Sequence, residues 1–460
     1  MVTLSPGRSR VRRPLAALVA AGVVVATAAL GTPSATAAEK VQVGLFGTQD
    51  PTYDGVFRQS LSLLAYAAAG QEPPAEAVGW LLDQQCADGG FQAFRADTSK
   101  PCTESDPVNY VGEDSNSTAL ASAALTVLGE LDAADGALAW LESAQNDDGG
   151  FPYFLGGTSD ANSTAIALLA TNAVGLSPTQ VRKGAVSAAD YLTGLQVGCE
   201  GAATDEDGGF AYAGFAAGTA NDSATVQATV GLSGAALPFV ADAPSLDIPR
   251  ADCPAPAATA SASPEAPALA PAAVAPSAVE LAGGYIARTL AAYGNAIPEL
   301  DFGTGERKPG TVSAGDTAWA VLALSAVGVG GAQRDAALDV LLAQVGAGPA
   351  RKAAAVSDEA PGLLALAALA VVSADGSPST IEGLVARVGA TMRTAPASAS
   401  PTPTPSTPGT GTPAPSGSEA GGLAPSGASP LTPALAGSGL LLLVLGAAAL
   451  GLTRRQGAHA

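Results

Sequence analysis

One unit occurs three times along this chain, and a sequence that repeats itself folds as a succession of like pieces. Trp80-Leu81-Leu82-Asp83-Gln84-Gln85 is followed by Asp88-Gly89-Gly90-Phe91, and Trp140-Leu141-Glu142-Ser143-Ala144-Gln145 by Asp148-Gly149-Gly150-Phe151. Tyr191-Leu192-Thr193-Gly194-Leu195-Gln196 is followed, after a longer loop, by Asp207-Gly208-Gly209-Phe210; from Phe to Phe the spacings are 60 and 59 residues. A second unit alternates with the first. Asp114-Ser115-Asn116-Ser117-Thr118-Ala119 and Asp160-Ala161-Asn162-Ser163-Thr164-Ala165 each open an Ala/Leu run, and Thr219 to Ala224 and Ser313 to Ala318 are more degenerate copies. Polar, cap-favouring residues ahead of an apolar run mark a helix start whose amides are satisfied.

Counting helices by these starts, and by Gly or Pro stops, predicts twelve. They fall near 54–69, 74–85, 116–129, 133–145, 162–175, 178–196, 221–236, 276–294, 314–328, 332–346, 356–374 and 378–392. Odd-numbered helices are apolar nearly all round, as buried helices are, whereas even-numbered ones are amphipathic, with Ala77, Trp80, Leu81 and Gln84 opposed to Asp83. The expectation is an all-α fold in which six hairpins close into an α6/α6 toroid over residues 39–393, each hairpin covering its neighbour's apolar face. The Ala/Pro-rich stretch 244–276 then reads as a loop inserted in the ring; the alternative is a boundary between two half-domains.

The Gln…Asp-Gly-Gly-Phe units and the Asp-Thr-Ala helix starts resemble the repeats of the prenyltransferase and squalene-cyclase superfamily, from about Tyr53 to Gly389. That resemblance implies a toroid, a scaffold that serves terpene cyclases, protein prenyltransferases and cobalamin carriers of the intrinsic-factor type. It implies nothing finer, because one fold hosts unrelated functions. The cyclases protonate an alkene with the middle Asp of Asp-x-Asp-Asp-Thr-Ala. Here that place holds Asn116, Asn162 and Gly315, the last leaving Asp316 alone. An amide has no proton to give near neutral pH. The chain has one histidine, His459 near its end, so the ectodomain offers neither the zinc ligands of a prenyltransferase nor a Ser-His-Asp triad. A non-catalytic member is therefore expected. Two-carboxylate carbohydrate cleavage stays open through Asp88, Asp148 and Asp207, whose other reading is as turn residues.

Both ends carry addresses. Arg8, Arg10, Arg12 and Arg13, then an apolar stretch from Leu15 to Leu30 and Ala35-Thr36-Ala37, read as a signal peptide over 1–38. At the other end, Leu423-Ala424-Pro425-Ser426-Gly427, a charge-free segment 434–452 and Arg454-Arg455 are similar to the sorting signal of Gram-positive wall proteins, here over 423–460. Ala424 stands where Pro is commoner and Ser426 where Thr is usual. The resemblance implies sortase and peptidoglycan as partners, with Ser426 joined to the wall; without cleavage a single-span membrane protein remains. Residues 394–422, rich in Pro, Thr and Ser, form the expected stalk. The expected location is thus the cell surface.

Composition fits export. The four cysteines, Cys86, Cys102, Cys199 and Cys253, all precede the stalk, an even number suited to an oxidising compartment. Of three pairings, Cys86–Cys102 with Cys199–Cys253 closes the shorter loops. Net charge is −20, and loss of the six arginines in the two signals takes it to about −26, which excludes nucleic acid as a partner. No cofactor or metal is expected; Asp205-Glu206-Asp207 reads as an acidic turn or, alternatively, as a Ca²⁺ loop.

In a toroid the starts of the inner helices share one mouth. Asn116, Asn162, Asn221, Asp222 and Asp316 would line it, with Tyr153, Phe154 and Tyr212 from the loops after the outer helices. Such a mouth suits a partly apolar small molecule, for instance a corrinoid; the alternative reading of the polar residues is simple capping. Ser313 to Val327 is similar to inner-helix starts in the cobalamin carriers. An adhesion or scaffold role with an extracellular protein partner is the alternative function.

Overall fold

Each repeated start does become a helix, because a side chain there replaces the missing intrahelical partner. Asp114 Oδ1 accepts from Ser117 N at 2.7 Å, Asp160 Oδ1 from Ser163 N at 2.8 Å and Asn221 Oδ1 from Ala224 N at 2.9 Å. Helices beginning at the first and third of these end at Gly129 and Gly234, which take the left-handed conformation that glycine adopts without strain. The computed structural model describes residues 42–199, 205–213, 219–242, 244–253, 276–301, 306–346 and 360–395. Among them lie twelve helices: α1 Gly55–Ala68, α2 Ala75–Gln84, α3 Ser115–Leu128, α4 Leu131–Ala144, α5 Ala161–Ala173, α6 Ala188–Gly194, α7 Asp222–Ser233, α8 Ala278–Ala292, α9 Ala314–Val327, α10 Gly331–Gln344, α11 Pro361–Ser373 and α12 Pro378–Ala390. Two short hairpins, β1 Phe151–Pro152 with β2 Ser159–Asp160 and β3 Arg182–Lys183 with β4 Val186–Ser187, complete the regular structure. The fold is all-α in class.

The odd-numbered helices form the interior. α1 packs on α3, α3 on α5, α5 on α7, α7 on α9 and α9 on α11, and α11 returns to α1. Each even-numbered helix packs on the odd one before it and buries one face; for α2 this is Ala77, Trp80, Leu81 and Gln84, the stripe its sequence predicts. The segment before α1 meets the segment after α12: Phe46 pairs with Met392, and Arg393 N donates to Leu45 O at 2.8 Å.

Two helices start later than expected. The sixth helix, expected over 178–196, is only α6. Residues 182–187 turn back as β3–β4 because Gly184 takes φ +59 at the turn, and Ser187 then opens the helix through a capping box with Asp190. Residues 244–253, the described start of the expected inserted loop, form no helix or strand and are held by hydrogen bonds: Ser245 N donates to Gly328 O, Gly330 N to Asp247 O, and Arg288 Nη1 to Pro249 O. The eleventh helix begins at Pro361, where a missing N–H costs nothing, and its expected start at 356 lies outside the described residues. The disulfides Cys86–Cys102 and Cys199–Cys253 form as expected, as in chains that mature in an oxidising environment. Among the described residues no helix is long and apolar enough to cross a membrane; the signal peptide, stalk, sorting pentapeptide and segment 434–452 lie outside them.

Candidate functional site

The Gln…Asp-Gly-Gly-Phe units are structural clips. Gln85 Nε2 donates to Gly89 O at 3.1 Å and Ala133 O at 2.8 Å; Gln196 Nε2 donates to Gly208 O at 2.8 Å and Ala278 O at 2.7 Å. One amide thus ties its own turn to the start of the next even helix. Asp88 Oδ1 accepts from Gly90 N at 3.2 Å and Asp148 Oδ1 from Gly150 N at 3.0 Å, which makes both turn residues. The second glycine of each pair leaves room for a ring: a Cβ on Gly90, Gly150 or Gly209 would overlap Trp140, Tyr191 or Tyr285 of the following even helix. Phe91, Phe151 and Phe210 are buried plugs.

The Thr of the helix starts has a like task. Thr118, Thr164 and Thr225 each accept from the amide of the plug Phe, at 2.9, 2.9 and 2.8 Å, and each donates to the cap residue's carbonyl at 2.7 Å. Thr164→Val leaves the buried Phe151 N–H without an acceptor and is expected to cost about 1–3 kcal/mol. Urea unfolding measures this; a loss below about 0.5 kcal/mol, within the usual range for an inconsequential substitution, would show that the clip is dispensable.

Around these starts the expected site residues lie at the first turns of α3, α5, α7 and α9. Asn221 is the cap of α7. Asn162 Nδ2 donates to Gln227 Oε1 on α7 at 3.0 Å. Asp222 accepts from Arg307 Nε at 2.8 Å and Nη2 at 2.9 Å and from Tyr285 Oη at 2.6 Å. Asp316 accepts from Ser223 Oγ at 2.6 Å and Ser313 Oγ at 2.7 Å. Asn116 is buried with neither side-chain atom bonded. Sequence reasoning missed Gln227, Ser223, Tyr285 and Arg307. The guanidinium of Arg307 also contacts the Tyr285 hydroxyl and lies 5.7 Å from the Tyr293 ring centre, close to the acidic Glu206. Its one sequence signal is a cation in an acid-rich region.

The aromatic residues gather near α3 and α5. Ser115 N donates to Tyr153 O at 2.9 Å, and Asp114 pairs through its backbone with Phe154, so residues 153–154 lie on the first turn of α3. Phe154 meets Tyr153 edge-on at 4.6 Å and Tyr110 at 6.1 Å. Tyr110 has φ +54, a conformation rare for a bulky residue. Burial raises the Tyr153 hydroxyl pKa well above the ordinary tyrosine value, helped by Asp114 and Asp160; burial likewise raises Tyr212, again helped by Asp160. The two acids themselves are pushed up by burial, Asp114 to about 7 and Asp160 to about 6. Glu113, buried beside Asp88, rises to about 7.

The acidic run 205–207 is met by arginines. Asp207 accepts from Arg250 Nη2 at 2.6 Å and lies 3.2 Å from Arg288 Nη2, while Asp205 lies 2.9 Å from Arg250. These carboxylates face guanidinium groups. Cys86, Cys102 and Glu113 also converge, but both sulfurs are spent in a disulfide, which leaves a single metal-ligating group.

No family model matches this chain, and no curated protein matches it. Among solved structures it is similar to ent-copalyl diphosphate synthase from Streptomyces platensis, with a TM-score of 0.40 and 18% identity over 70% of this chain and 50% of that one. It is also similar to a protein from Actinoplanes, with a TM-score of 0.37 and 14% identity over 72% of this chain and 89% of that one. The chain spans half the length of the synthase.

Proposed function

We propose that this chain is a cell-surface binding protein, with an α6/α6 toroid held outward by its stalk and sorting signal, whose ligand is a partly apolar small molecule such as a corrinoid. The unbroken succession of odd-helix contacts from α1 round to α1 supports the toroid. The sorting signal makes sortase and peptidoglycan its partners at the wall. One observation carries the binding reading. Val108, Tyr110, Val111 and Leu155 are 81%, 44%, 46% and 40% exposed, and Tyr110 packs edge-on against Phe154, whose backbone pairs with Asp114 at the start of α3. An exposed apolar rim beside buried polar groups is the make-up of a ligand site.

Catalysis fits the same residues less well. Asp222 is ion-paired, Asn116 and Asn162 stand at the acid positions of the cyclase pattern, and Asp88 and Asp148 serve their own turns. The mass of the intact chain in native conditions, with and without cobalamin, tests the reading. One cobalamin per chain is expected. Its visible spectrum should not change on binding, because residues 39–422 contain no histidine to replace a cobalt ligand. A chain that ignores cobalamin and carries no other small molecule would overturn the proposal in favour of a protein partner on the same rim.

A further inference from the structure

The geometry points to Asn116 as the polar anchor of the site, and to an uncharged ligand that offers it a carboxamide or lactam edge on an apolar body. This rests on the binding reading above and names the ligand's chemistry.

Asn116 is 2% exposed, and both Oδ1 and Nδ2 lack a partner. The repeats show where such a side chain points. Asn116, Asn162 and Ser223 each stand two residues past the cap of their helix. From that position Asn162 reaches Gln227 on the next odd helix, and Ser223 reaches Asp316 on the one after. Asn116 is thereby directed at α5. Gln227 stands six residues past its cap and Asp316 three; on α5 those places hold Ile166, which has nothing to offer an amide, and Ser163, whose hydroxyl donates to Asp160 Oδ2 at 2.8 Å. Among these starts the unpaired amide is therefore peculiar to α3, and residues 153–154 flank that first turn through the Ser115 N–Tyr153 O bond and the Asp114–Phe154 pairing.

The chemistry of the unpaired amide selects the ligand. A side-chain amide presents one acceptor and two donors, so its complement carries both a donor and an acceptor. An anion would satisfy only the donors, and it would meet Asp114 and Asp160, both close enough to raise the Tyr153 hydroxyl. A cation would satisfy only the acceptor. A neutral amide satisfies both, and its apolar remainder would lie on the aromatic rim.

Three probes of one size but different charge test this on the full chain: benzamide, benzoate and benzylammonium. Nuclear magnetic resonance follows the Asn116 side-chain NH₂ signals, and two variants accompany the wild type. Asn116→Leu removes the anchor. Ile166→Gln supplies the missing internal partner by copying the Asn162–Gln227 pair, so it should fold even if the first variant does not. Benzamide is expected to shift the Asn116 signals and to bind at least about tenfold more tightly than either charged probe. Both variants are expected to weaken it by about tenfold or more, with Ile166→Gln unfolding no earlier than wild type. Unmoved Asn116 signals, equal binding of benzoate or benzylammonium, or full binding by Ile166→Gln would each overturn the assignment. Cobalamin bound without any benzamide effect would overturn it while leaving the binding reading intact; benzamide bound at Asn116 without cobalamin would leave the anchor and remove the corrinoid.

Discussion

Gly89→Ala is expected to destabilise the fold by about 4 kcal/mol or more, enough to leave many domains unfolded. Two effects add. Gly89 has φ +98, where a Cβ is strained by about 1–2 kcal/mol. That Cβ would also overlap the carbonyl of Gly136 on α4, so either α4 shifts or the turn opens and its clip to Gln85 is lost. Gly129 separates the two effects: it has φ +80 with nothing near the added methyl, so Gly129→Ala should cost only about 1–2 kcal/mol. Urea unfolding of both variants with the disulfides intact measures the difference. Equal losses would mean that the glycine pairs serve the turn alone and not the approach of the next hairpin. Gly149 and Gly208 stand in the same relation to Ser187 and Leu281, so the result extends to all three repeats.

The second large effect is on pH dependence. Burial raises the folded-state pKa of Asp114 to about 7 and of Asp160 to about 6, against about 4 for an unfolded aspartate. Between those values the unfolded chain gives up its protons while the folded one keeps them, so stability falls as pH rises. The contribution is complete below about pH 4, declines through pH 6 to 7 and then levels off, with a total of a few kcal/mol. Asp114→Asn should remove its share. The α7 cap already performs this task with an amide, since Asn221 Oδ1 accepts from Ala224 N just as Asp114 Oδ1 does from Ser117 N. The variant should therefore match wild type below about pH 4 and exceed it by about 1–3 kcal/mol at pH 8. Loss of stability at both pH values would mean that the charge on Asp114, and not only its oxygen, holds the start of α3.

Most of the helices were legible because their ends are written locally: a cap residue, an apolar run, a glycine. The sixth failed where two local signals compete. The expected helix ran through 178–196, but Gly184 reverses the chain within it, and the true start is the Ser187–Asp190 box. The site was legible only in outline. Residues at the starts of α3, α5, α7 and α9 could be chosen from the repeat, but their partners could not. Asn162 finds Gln227 at a separation of 65 residues, Asp222 finds Arg307 at 85 and Ser223 finds Asp316 at 93. Which polar groups are consumed and which is left over is decided by those distant pairings, and Asn116 looks in sequence just like Asn162.

The seam between residues 44–49 and 391–393 would have a mechanical meaning if the protein is tethered as proposed. Arg393 donates its amide to Leu45 O and its guanidinium to Gly47 O and Gln49 O at 2.7 Å each, while Gly44 N and Gly47 N donate to the carbonyls of Arg393 and Thr391. Were the proposed stalk to bear load, a pull would enter at Arg393, whose bonds pass part of it directly into residues 44–49. The seam would share that load with α12, which precedes Arg393 in the chain. It would then act as a fuse, helping to set the force at which the body begins to unravel.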